Sequence, residues 1–111
     1  MSNFFESEII QGELEEINEL QKILYGNVMQ FPTMEYDERM DHIDLLTELL
    51  EKQKVMYTRL SLSDDPDAIK MKEQLHKTIP LMGFPRGTDM NLLFEGMKET
   101  ISKLKENIDK S

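Results

Sequence analysis

The sequence predicts an all-α protein: an antiparallel helical hairpin, a short third helix and a C-terminal heptad helix, forming a small bundle in a single domain over residues 1–111. Three observations carry this. Met90, Phe94, Met97, Ile101, Leu104 and Ile108 recur in alternating steps of four and three, the spacing of one helical seam. Two longer apolar stripes precede it, separated by proline-bearing breaks. No segment shows the two-residue alternation of a half-buried strand.

The first helix is expected to start between Asn3 and Ser7 and to run to about Val28, with Ile10, Leu14, Ile17, Leu20, Leu24 and Val28 on its apolar side. Asn3 with Glu6, or Ser7, is placed to cap it. Glu6, Glu8 and Glu13 favour its N-terminal end through the helix dipole. Pro32 disfavours helical geometry at Phe31, and Thr33 offers a cap to the second helix, expected from about Met34 to Leu60 or Leu62. There Tyr36, Met40, Ile43, Leu46, Leu50 and Tyr57 form a stripe, widened by Leu45, Leu49, Val55, Met56 and Leu60. So short a connection makes the two helices antiparallel neighbours.

Ser61 to Pro66 is a strong break. Asp65 as cap and Pro66 at the first helical position open a short helix bearing Ile69, Met71, Leu75 and Ile79, closed by Pro80 and Gly83. Gly83-Phe-Pro-Arg-Gly87 reads as a hinge loop, since it lacks phosphate-loop spacing and a preceding strand. Thr88 or Asp89 then caps the seam helix, which reaches about Asp109. Burying six seam residues offsets only part of the backbone entropy of ordering that helix. It therefore needs the hairpin or a second chain against it, which makes the protein a candidate homo-oligomer.

Composition narrows the function. The chain has no cysteine, which excludes disulfides and thiolate metal sites. No apolar run approaches the length of a membrane span and no signal-peptide pattern opens the chain, so a cytoplasmic protein is expected. Net charge is −9, unevenly spread. Residues 1–53 carry thirteen acids against Lys22, Arg39 and Lys52, a balance of −10, whereas residues 54–111 carry nine acids against ten bases. Such a field disfavours direct contact with nucleic acid or anionic lipid and favours a basic protein surface.

Candidate chemistry is sparse. Glu73 and His76 match the Glu-x-x-His spacing of di-iron bundles, but that site needs a second copy and two more glutamates. Asp37, Glu38, Asp41, His42 and Asp44 crowd one helix start, where the dipole alone attracts acids, and a solvated cap is the reading preferred. Nothing supports a nucleophilic centre. Lys98, Lys103 and Lys105 are interleaved with Glu95, Glu99 and Glu106, a solvated face. No catalytic, cofactor or metal residue is assigned, and an enzyme is not expected.

Contact surfaces are better supported. Phe4, Phe5, Ile9 and Ile10 load the N-terminus with apolar groups that either dock on the chain's own bundle, the reading favoured, or insert into another protein. Nine methionines suit core filling, and also an adaptable binding face. The expected partner contacts are Phe4, Phe5, Ile9, Ile10, Arg59, Met90, Phe94, Met97, Ile101, Leu104 and Ile108.

Phe4-Phe5-Glu6-Ser7-Glu8-Ile9-Ile10-Gln11, Arg59, Leu62-Ser63-Asp64-Asp65, Glu73-Gln74-Leu75, and Phe94-Glu95 with Met97 and Thr100 together thread most of the chain. In these segments it resembles a family of short helical proteins of uncharacterised function from cyanobacteria and the large tailed phages that infect them. The resemblance implies such an origin and a cytoplasmic setting, and brings no catalytic or binding residues. It also directs attention to Arg59, expected to bond Glu6 or Glu8 where the N-terminal segment meets the end of the second helix. The function expected is a non-enzymatic protein–protein interaction or regulatory module. The alternative is an acidic transcription-type factor or nucleic-acid mimic that binds a basic protein surface.

Overall fold

In the computed structural model, residues 4–81, 83–85 and 87–110 are described. A single 3-10 turn, Phe4–Glu6, leads into α1, Glu8–Asn27. Ser7 caps α1, its hydroxyl accepting from the Ile10 amide at 3.5 Å. Asn3, the other candidate cap, lies outside the described residues.

The break around Pro32 is a 3-10 segment, Val28–Thr33, before α2, Tyr36–Leu62. The second helix thus starts two residues later than expected, and Thr33 does not cap it. The Thr33 hydroxyl donates instead to the Gln30 carbonyl at 2.8 Å, closing its own turn. Glu35 takes the cap position without a side-chain bond.

At the next break Asp65 behaves as expected. Its carboxylate accepts the Asp67 amide at 2.8 Å, opening α3, Pro66–Leu81, and also the Phe4 amide at 2.5 Å, which ties the N-terminal turn to the start of α3. These backbone donors, Phe4 first, hold the Asp65 pKa below the usual carboxylate value. Pro80 stands inside the last turn of α3. The helix closes as a Schellman motif: Gly83 donates to the Pro80 carbonyl and Phe84 to that of Ile79. Gly83 has φ +92°, which a side chain resists. Gly83→Ala is expected to cost about 1–2 kcal/mol in a urea melt. Asp89 caps α4, Met90–Lys110, accepting the Asn91 amide at 2.9 Å.

The long α2 touches each of the other three helices, and all three run antiparallel to it. On one flank Arg59 meets Glu13 and Lys52 meets Glu16, which fixes the direction of α1. On the other flank the Tyr57 and Phe94 rings lie 6.0 Å apart, and the Tyr36 hydroxyl donates to Asp109 at 2.6 Å, so α4 runs back toward the start of α2. The shorter α3 covers the far end of α2. Two clusters make the core. Ile10, Ile17, Met56, Leu60 and Ala68 join α1, α2 and α3, while Leu50, Ile79, Met90, Leu93 and Phe94 join α2, α3 and α4. Leu75 packs against both.

The heptad seam is sealed within the chain: Met90, Phe94 and Ile108 are buried, and Ile101 and Leu104 half-buried. Two details differ from the sequence reading. Leu93, outside the seam, is buried, and Met97, inside it, is 37% exposed. The buried arc is rotated because α3 brings Ile79 onto the Leu93 side. Tyr36, Val55, Val28 and Ile69, placed on apolar stripes by spacing, are exposed, whereas Ala68 is fully buried. The bundle is thin, 52 × 33 × 19 Å, with a radius of gyration of 16.0 Å against about 13 Å for a compact chain of this length.

Candidate interaction surface

The front of α2 is open along its middle. Leu46, Leu49, Gln53, Met56 and Leu60 follow helical spacing, and α1 and α4 rise on either side of them. Two hollows lie over this line. One, of about 360 Å³, has Leu14, Ile17, Met56, Leu75, Phe94 and Met97 among its walls. The other, of about 470 Å³, has Leu46, Leu49, Phe84, Leu92, Gly96 and Thr100. Gln53, Leu93 and Met97 line both, so the hollows form one trough. From Leu46 to Leu60 it is about 21 Å long at 1.5 Å per residue. Of its 22 lining residues none is Asp, Glu, Lys or Arg, in a chain that is 32% charged. Leu14, Met71, Phe84, Leu92 and Met97 are large apolar side chains exposed at its rim.

One end of α2 is covered by the 3-10 segment. His42 is buried with its ring 5.3 Å from that of Phe31, and the Arg39 guanidinium lies over the same ring while donating to the Pro32 carbonyl at 2.9 Å. His42 is therefore not part of the solvated acidic cap that its spacing among acids suggested. Asp37, Glu38, Asp41 and Asp44 are exposed, but His42 stands four residues before Leu46 on the same face and is carried inward with it. Its Nδ1 finds no hydrogen-bond partner among the described residues. Burial lowers the His42 pKa from the usual 6.5. The folded chain therefore binds this proton less readily than the unfolded chain. Its contribution to stability is complete above the ordinary imidazole value and is lost as pH falls through it toward the lower folded value. Urea melts are expected to show stability falling from about pH 7 to pH 5, with a shallower fall in His42→Leu.

At the other end Phe4 and Phe5 are half-buried against the first core cluster, their rings edge-to-face at 5.0 Å. Ile10 is buried beside them and Ile9 is 64% exposed. Arg59 does lie where this segment meets α2, but its partner is Glu13 at 3.1 Å, not Glu6 or Glu8. Glu13 sits three residues after Ile10 and four before Ile17, on the side turned to α2, whereas Glu6 and Glu8 are exposed. So open a pair adds about 0–1 kcal/mol. Of the expected partner contacts, Met90, Phe94, Ile10 and Ile108 are thus spent inside the bundle. Met97 and Ile9 remain accessible, and Phe5, Phe94, Met90, Met97 and Ile101 have atoms on the trough.

The second histidine, His76, shares a 2.7 Å hydrogen bond with the Tyr57 hydroxyl, which occupies its Nε2. Among the described residues no group of three or more His, Cys, Asp or Glu side chains could hold a metal ion, and no helix is long and apolar enough to cross a membrane. The trough itself was not found from the sequence. Its signal is the neutrality of the positions flanking the seam: Leu93, Gly96 and Thr100 on α4, where a solvated helix face would carry Glu and Lys.

Fold and surface together define a small all-helical protein with an open, uncharged apolar trough. The chain belongs to the family described as a domain of unknown function, DUF1825, whose profile matches residues 2–108. No curated protein and no solved structure matches it.

Proposed function

We propose that this protein is a non-enzymatic interaction and regulatory module that docks a helical protein surface into its trough. Its setting is the cytoplasm of a cyanobacterium or of a cell infected by a cyanophage, as the resemblance in the N-terminal block implies. The observation that carries the reading is the 22-residue lining without a single charge. Charge depletion at the centre, with apolar and methionine side chains around it, is the composition of a protein contact, not of a solvated face. A trough some 21 Å long accepts about four turns of helix.

The test is affinity capture from cyanobacterial lysate with wild type, Met97→Glu and, as an off-trough control, Ile23→Glu. Proteins retained by wild type and by Ile23→Glu are expected to be lost with Met97→Glu. Identical sets from all three would contradict the proposal. The acidic-mimic reading rests on the −10 balance of residues 1–53. It is the weaker one, because Glu13, Glu16 and Glu48 already face the chain's own cations. Its signature is capture that collapses between about 0.05 and 0.2 M salt, where trough docking stays nearly flat.

A further inference from the structure

We infer that the trough is closed in solution by a second copy of this chain, the two front faces meeting about a twofold axis. This rests on reading the trough as a contact surface and names its occupant. The chain exposes 8050 Å², against about 6,400 Å² for a compact monomer of 13.1 kDa, a surplus of about 1,650 Å². A standard interface takes about 800 Å² from each partner, about half of this surplus, and the front face carries five of the large exposed apolar side chains, Leu14, Met71, Phe84, Leu92 and Met97.

A basic partner would be met by acids on the trough, but its lining carries none. The exposed acids Glu15, Glu19, Asp44 and Glu51 stand about half a turn from the trough positions Ile17, Leu46 and Gln53 and so point to the reverse side. Two chains of net charge −9 repel each other. The front is the face on which they meet with no like charges opposed, and it keeps those acids in water.

Gly96 lies inside α4. Glycine inside a helix costs about 1 kcal/mol relative to alanine. Yet a Cβ there would meet nothing within 4 Å. Gly12 and Gly26 of α1 meet equally open space, so Gly96 is set apart by its place on the trough wall, where the missing side chain lets another chain approach closely. An isologous contact then buries Leu14, Met71, Phe84, Leu92 and Met97 of both copies at once.

Sedimentation equilibrium of the purified chain is the test. A mass twice the 13.1 kDa of one chain is expected. Raising salt from about 0.05 to about 0.5 M should leave the dimer unchanged or tighten it, because only repulsion is screened. Met97→Glu, placed twice in a twofold interface, should raise the dissociation constant on the order of 100-fold. Leu92→Glu, exposed and outside the core, should weaken association without loss of helical circular dichroism. A chain that stays monomeric at about 100 μM, or a dimer indifferent to both variants, overturns the inference. If wild type is monomeric while Met97→Glu still loses captured proteins, the second copy is excluded and the docking reading stands. If neither mass nor capture responds to Met97→Glu, both fall.

Discussion

Phe94→Ala is expected to lower the unfolding free energy by about 3–5 kcal/mol, read from the midpoint of a urea melt followed by circular dichroism. Phe94 is buried where α2, α3 and α4 converge, with its ring against Tyr57 and its neighbours Leu50, Ile79, Met90 and Leu93. Truncation removes a large apolar group and opens a void beside the existing trough. Water can enter from that side, so the cavity term stays modest and most of the loss is transfer free energy. A domain of this size has about 5–15 kcal/mol in all, so this one change consumes a large part of it. A loss below about 1 kcal/mol would mean that α4 is not sealed against the hairpin.

Leu60→Ala is the second large effect, about 2–5 kcal/mol by the same measurement. Leu60 is 3% exposed in the other cluster, where Ile10, Ile17, Met56 and Ala68 hold the hairpin end, α3 and the N-terminal turn together. Its loss also loosens the seat of Phe4 and Phe5, which pack on the same cluster. The two clusters share Leu75, so Phe94→Ala and Leu60→Ala should not be strictly additive. A coupling of about 0.5 kcal/mol or more in the double variant is expected, and strict additivity would separate the clusters energetically.

Helix order and most boundaries were legible because the punctuation is chemically explicit. Ser7, Asp65 with Pro66, and Asp89 each open a helix by accepting backbone amides, and Gly83 closes one through a left-handed backbone. These are local effects, and local spacing reads them. What spacing could not supply was the mutual rotation of the helices. The heptad placed Met97 inside and ignored Leu93, but Ile79 of α3 packs in the cluster that buries Leu93, while Met97 is left on the trough. Arg59 was placed at the correct junction and given the wrong glutamate, because the choice between Glu8 and Glu13 depends on which side of α1 turns to α2. His42 was hidden by its acidic neighbours, although its four-residue step to Leu46 placed it on the apolar face. The trough was the least legible feature, since an absence of charge is visible only once three helices bring Leu14, Gln53 and Thr100 onto one surface.

The account turns on that surface being covered by protein in the working state. Peroxide oxidation of the methionines, followed by mass spectrometry over a range of chain concentrations, measures this residue by residue. Met97 and Met71 lie on the trough at 37% and 38% exposure, while Met29, at 88%, lies off it in the 3-10 segment. Oxidation of Met97 and Met71 is expected to slow as concentration rises while that of Met29 holds constant. Rates at all three that are independent of concentration would contradict closure of the trough by a second copy.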